Sequence, residues 1–186
     1  MKREIFHIMN ELQTMQFNHD VKAHRDLLSF DIYSKIKHMT LHFAKYAGKI
    51  QASIIENNKI IIEKSLIDTF IICMATTNAL NKNLGTFLES PSKISYESIE
   101  DYLNKIEDKK SVEEFLICLV INTGNLAKAI ESTDHMEFGN PRKDIENALG
   151  EIFVNTVKTI SFLNIEIFKE IIERFNRIEN KQIIKI

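Results

Sequence analysis

The sequence predicts an all-α protein. Only two prolines and five glycines occur in 186 residues. Apolar residues recur at three- and four-residue spacing nearly throughout, and the alternation of a half-buried strand is scarce. A composition of 44% hydrophobic and 27% charged residues is that of an ordinary globule able to bury a sizeable core.

A first helix is expected over residues 3–16, followed by a polar connection through Asn18, His19 and Asp20. Asp31 has the short acceptor side chain of an N-cap and opens a long helix to about residue 56. Its inward stripe would be Ile32, Ile36, Met39, Phe43, Ile50 and Ile54. Asn57 and Asn58 break that helix, and the next is expected over 59–83. Residues 85–95, with Gly85, Ser90, Pro91 and Ser92, read as a hinge between a first unit, 1–84, and a second, 96–186, within one compact structural unit.

A short helix is expected over 96–107. Ser111-Val112-Glu113-Glu114 then forms a capping box, in which hydroxyl and carboxylate each satisfy the other's backbone amide. This opens a helix to about residue 132. After a polar loop, Asn140 and Pro141 supply the N-cap and first-turn residue of a helix to about 163. A last helix covers 166–180, and the tail from Gln182 is either a frayed end or an oligomer contact.

Two stretches match without a gap, residues 62–84 and 145–167. Shared pairs are Ile62/Ile145, Glu63/Glu146, Leu66/Leu149, Phe70/Phe153, Thr76/Thr159, Leu80/Leu163 and Asn81/Asn164. The match keeps polar and apolar positions alike, as an internal duplication would. Upstream of each copy lies a helical stretch with a mid-helix glycine, Gly48 and Gly124. Each glycine costs roughly 1 kcal/mol of helix propensity against alanine, which points to close helix–helix approach or to clearance for a ligand.

The formal charge of −2 argues against a general nucleic-acid binder, since no basic excess is present to neutralise phosphates. Cys73 and Cys118 sit in apolar helical runs without metal or redox spacing and read as core thiols in a reducing compartment. The N-terminus lacks the pattern of a secretory signal. The most apolar windows, near 66–74 and 115–121, are about half a bilayer span, so a cytoplasmic protein without membrane association is expected.

The second helix pair carries Asn122-Thr123-Gly124-Asn125-Leu126, then Asp144-Ile145-Glu146-Asn147-Ala148-Leu149-Gly150-Glu151. It resembles the MazG-like all-α nucleoside triphosphate pyrophosphohydrolases. In that family one helix carries a Glu-Glu-x-Gly-Glu-Leu motif and the next a Glu-Glu-Leu-Gly-Asp motif. Four acidic groups there hold Mg²⁺ against the triphosphate. The resemblance covers residues 112–181 directly and 32–84 through the repeat. It implies a helical bundle of two tandem, degenerate MazG-like helix pairs related by an internal pseudo-twofold.

In this sequence the four acidic positions fall on Asn122, Asn125, Ala148 and Glu151 in the second copy, and on Tyr46, Lys49, Ser65 and Asp68 in the first. The resemblance therefore implies an eroded site, with Asp68 and Glu151 as the surviving candidates for Mg²⁺ and Asn122 and Asn125 as further ligand-binding candidates. A single carboxylate per half makes a weak magnesium site. The expected ligand is a nucleotide or other phosphorylated small molecule. The alternative is a catalytically inactive structural or interaction module, and a homodimer is compatible with either.

The first half offers an anion site of its own. His38, His42, Lys45 and Lys49 follow four-, three- and four-residue steps along one stripe of the long helix. Lys49 would face Asp68 on the neighbouring helix. A solvated face with one interhelical ion pair accounts for the same pattern. His38 and His42 also have the spacing of a helical metal pair, to which His19 and His24 would add ligands if the preceding connection folds back. Arg174, Arg177 and Lys181 on the last helix alternate with Glu170, Glu173 and Glu179, as ordinary i, i+4 pairing would.

Overall fold

Four long helices form the centre of the molecule: α3 (Ile32–Ile55), α4 (Lys59–Ala79), α6 (Val112–Asp134) and α7 (Pro141–Leu163). The computed structural model describes the backbone of residues 2–88 and 94–183 and the side chains through Lys181. The hinge residues Ser90, Pro91 and Ser92 and the end of the tail lie outside these. Within each half, consecutive helices pack as a hairpin, α3 on α4 and α6 on α7. Between the halves α3 packs on α6 and α4 on α7, closing a four-helix arrangement.

The caps follow the sequence. Asp31 accepts from the Ser34 amide at the start of α3, Asn58 from Ile61 at α4, and Asn140 from Lys143 at α7. The capping box at Ser111 and Glu114 is complete in both directions. α4 and α7 end alike: Asn81 and Asn164 lie in the left-handed region, at φ 54° and 55°. In both, the next amide reaches back five residues, Lys82 to Thr77 and Ile165 to Ile160, as in a Schellman ending.

The core is one cluster drawn from both halves, centred on Phe43, Leu66, Phe70, Leu119, Leu149 and Phe153, all fully buried. The expected α3 stripe is buried at Ile36, Met39, Phe43 and Ile50. Ile54 is half-buried, while Ile32, in the first turn of α3, is 59% exposed. Cys73 is buried as expected and Cys118 only partly so.

The N-terminal segment departs most from the sequence reading. α1 (Ile5–Ala23) runs through Asn18, His19 and Asp20 instead of stopping at Gln16. Its buried stripe, Ile5, Ile8, Leu12, Gln16, His19 and Ala23, keeps helical spacing across polar residues, so the same face stays inward. Gln13 and Gln16 are buried but satisfied. Gln13 Nε2 donates to Asn78 Oδ1 at 3.0 Å and its Oε1 accepts from Leu84 N at 2.8 Å, while Asn78 Nδ2 donates to Gln16 Oε1 at 2.8 Å. These bonds fasten α1 to the end of α4.

The remaining elements cover the α4/α7 side. α2 (Arg25–Leu28) follows α1, and a 3-10 turn (Leu84–Phe87) packs on α1 and α7. Arg3–Glu4 and Ser95–Tyr96 pair as short antiparallel strands β1 and β2, so the helix expected from residue 96 starts later, as α5 (Ile99–Asn104), capped by Ser98. α8 (Ile167–Ile183) packs on α1, α4 and α5. The first and last helices thus cross the expected unit boundary.

α6 meets the length and composition of a membrane-crossing helix, although its continuous apolar windows are short. One of its faces supplies core residues, and the opposite face exposes Ile117, Val120 and Ile121.

Candidate functional site

A cleft of about 350 Å³ opens between α1, α3, α4 and α8. α3 contributes His38, His42, Lys45 and Tyr46, and α1 contributes His19 and Asp20, with His24 just beyond it. α4 contributes Asp68 and α8 Arg174. The apolar walls include Met39, Ile71, Ile72 and Phe175. The extension of α1 past Gln16 is what brings His19 and His24 to the stripe on α3.

Asp68 and Arg174 form a bidentate pair, Nε to Oδ1 at 2.6 Å and Nη2 to Oδ2 at 3.0 Å, joining α4 to α8. The Asp68 side chain is only 13% exposed. Planar guanidinium and carboxylate match in such a fork, which makes the contact directional as well as attractive. The i, i+4 pairing expected along α8 is therefore displaced by contacts to other helices. Arg174 turns to α4, and Glu179 accepts from His19 Nδ1 at 3.0 Å. A partner in a low-dielectric crevice outcompetes an exposed neighbour on the same helix.

On α3, Lys45 Nζ lies 3.1 Å from His42 Nδ1, and His42 Nε2 lies 3.1 Å from His38 Nε2. An ammonium only donates, so His42 accepts at Nδ1, carries its proton on Nε2 and passes it as a donor to His38; these tautomers are assigned from the network. In this structure His38, His42 and Lys45 are linked in a hydrogen-bond chain along α3. His42 Nε2 has no free lone pair while Lys45 holds its other nitrogen.

The cleft disfavours added positive charge. Burial, then the Lys45 ammonium and the neighbouring imidazoles, push the pKa of His42 down to about 4. Burial also lowers His24, partly opposed by Asp20, and lowers Lys45, whose second cause is Lys49. Asp20 is raised by burial. The Tyr46 phenol is pushed up by burial and by Asp68. Its ring lies under both lysines, 4.5 Å from Lys45 Nζ and 5.8 Å from Lys49 Nζ. His19 is 3% exposed, stacks on Phe175 at 4.2 Å, and its Nε2 has no hydrogen-bond partner.

A second hollow of about 160 Å³ shares Asp68 and Arg174 with the first. It adds Lys49, Lys64 and Arg177, so that four cations face two carboxylates, Asp68 and Glu170. The Asp68–Arg174 pair is the common wall of an imidazole-rich, partly apolar chamber and a basic one. Lys49 lines the basic chamber beside Asp68, but the carboxylate is held by Arg174.

The candidates of the second half lie elsewhere. Asn122 Nδ2 donates to Cys118 O at 3.0 Å, Asn125 Nδ2 to Asn122 Oδ1 at 3.2 Å, and Glu151 is exposed. None of the three lines either chamber. Asp68 and Glu151 are thus not pooled, and with Asp68 committed to a guanidinium the residues do not fit a resident magnesium ion. Among the described residues no group of three or more His, Cys, Asp or Glu is placed to hold a metal.

No protein-family model, no curated protein and no solved structure matches the chain. Gly48 and Gly124 are exposed, and a Cβ at either would meet nothing within 4 Å, so neither close helix approach within the chain nor either chamber accounts for them. Tyr46 and Arg174 are among the cleft residues that the sequence does not single out as ligands. Tyr46 stands where an acid was expected, which was a usable signal; the partner of Arg174 lies 106 positions away and left none.

Proposed function

We propose that the protein binds a nucleotide or other phosphorylated small molecule across the two chambers, with phosphate oxygens in the basic hollow and the organic part in the imidazole-rich one. The observation that carries this reading is the excess of cations around a single fixed pair: Lys49, Lys64 and Arg177 flank Arg174, whose own charge is met by Asp68. Buried imidazoles and a lysine held below their ordinary pKa gain most from an anion beside them.

Kinship with the MazG-like pyrophosphohydrolases, as two eroded helix pairs about an internal pseudo-twofold, belongs to the same proposal. It is supported by the repeat and by what the matched residues do. Phe70 and Phe153 touch each other, Leu66 and Leu149 are equally buried, and Asn81 and Asn164 end their helices in the same conformation. Commitment of Asp68 to Arg174 favours binding without metal-dependent turnover, the inactive-relative reading of the chemistry.

A thermal-shift series with nucleoside triphosphates and inorganic pyrophosphate tests the site, because a ligand that prefers the folded state raises apparent stability. Stabilisation is expected, and its loss in Lys49→Ala/Arg177→Ala. No shift with any of these probes sinks the reading. Release of pyrophosphate that disappears on Asp68→Asn would make the protein an enzyme instead.

A further inference from the structure

Among the described residues two buried side-chain polar atoms have no hydrogen-bond partner, Thr123 Oγ1 and His19 Nε2, and of the two residues His19 borders the cleft. Its ring is held by three contacts. One face stacks on Phe175 at 4.2 Å, the His24 ring stands edge-on at 5.5 Å, and Nδ1 lies 3.0 Å from Glu179 Oε1. A buried nitrogen left unpaired forfeits the hydrogen bond that water gives it in the unfolded chain. Such a cost is expected where a ligand supplies the partner.

The contacts define that partner. The Glu179 carboxyl is held below its ordinary pKa first by the bond to His19, against burial, and then by Lys22 at 3.8 Å. A carboxylate only accepts, so Nδ1 carries the ring proton and Nε2 keeps its lone pair, a tautomer assigned from the network. The partner is therefore a hydrogen-bond donor. It is also uncharged, because burial already holds His24, His42 and Lys45 below their ordinary pKa and the cleft disfavours another cation. Ionised phosphate oxygens only accept, which leaves the donor to the organic part of the ligand.

From this we infer that His19 Nε2 is a specificity-determining acceptor for a hydroxyl or aromatic amino group on a phosphorylated ligand, with Glu179 as the positioning residue that fixes the tautomer. Access is by a turn of His24, which is half-buried beside it. The inference rests on the ligand reading above and adds to it that phosphate alone does not satisfy the site.

Calorimetric titration of the full chain with ATP, inorganic tripolyphosphate, 2′,3′-dideoxy-ATP and purine riboside triphosphate tests this. ATP should bind more tightly than tripolyphosphate. One of the two analogues, lacking either the ribose hydroxyls or the exocyclic amine, is expected to bind about tenfold more weakly than ATP, and which one it is identifies the donor. His19→Phe, which keeps an aromatic ring against Phe175, should bind ATP about tenfold more weakly while tripolyphosphate affinity is unchanged. Nitrogen-15 spectra of the wild-type imidazoles at neutral pH should show His19 protonated at Nδ1 and bare at Nε2, and Glu179→Gln should shift it toward the Nε2-protonated form. ATP no tighter than tripolyphosphate, both analogues equal to ATP, equal losses of ATP and tripolyphosphate in His19→Phe, or a wild-type ring protonated at Nε2 would each overturn this inference and leave the phosphate site standing. The analogue comparison and the spectra need only wild-type protein, so they decide the matter even if His19→Phe does not fold. Binding of neither ATP nor tripolyphosphate would remove the ligand reading and this inference with it.

Discussion

Phe70 of α4 and Phe153 of α7 meet in the centre of the bundle, ring centroids 5.5 Å apart and planes inclined by 50°, neither exposed to solvent. They are matched positions of the internal repeat, and their contact joins the halves. Truncation of either to alanine is expected to cost about 3–5 kcal/mol in urea unfolding. The double variant should cost less than the sum of the two, because each ring is part of the other's surroundings. Strict additivity would place the rings in separate environments.

The paired helix endings make a second prediction. Asn81 and Asn164 hold left-handed backbone that a β-branched residue adopts poorly. Asn164→Gly should be neutral or slightly stabilising, whereas Asn164→Val should cost about 1–2 kcal/mol. Equal effects of the two, measured by thermal unfolding, would show that the αL cap is not what ends α7.

Glycines in different surroundings should respond with opposite signs. Gly48→Ala fills open space and should stabilise by about 0.5–1 kcal/mol through helix propensity. At Gly85 a Cβ would come within 2.6 Å of the Phe6 backbone. Gly85→Ala should therefore destabilise by about 1–3 kcal/mol, as overpacking does. Chemical denaturation of the two variants decides this by sign alone.

Acid should loosen the cleft. His42 has a folded pKa of about 4 against an ordinary 6.5, so the unfolded chain binds the extra proton first. Its contribution to stability is complete above about pH 6.5 and is lost as pH falls toward 4. The groups around it are His38 and Lys45 on α3, His24 after α1, Asp68 on α4 and Arg174 on α8. Denaturation of wild type and His42→Gln across this interval should give the steeper loss for wild type; parallel curves would place the titration elsewhere.

Much of the fold was legible locally because caps and apolar spacing act over a few residues. Asp31, Asn58, Ser111 and Asn140 announce their helices by their own side-chain chemistry. The error at Asn18 to Asp20 arose because polarity was read as exposure, whereas His19 is buried by stacking on Phe175 and bonding to Glu179, partners about 160 residues distant. The cleft stripe His38, His42, Lys45 and Lys49 was visible as helical spacing. Its floor was not, since α1 and α8 come from opposite ends of the chain.

The sequence by itself determined that the chain forms long helices, where most of them begin, and that residues 62–84 and 145–167 present the same apolar face, because propensity, capping and periodicity are properties of neighbouring residues. Only the tertiary structure decided that Asp68 belongs to Arg174, that Glu151 stays in solvent, and that four imidazoles share one cleft. Those outcomes depend on competition among charged groups for burial and for partners, and which groups compete is fixed only once distant helices pack.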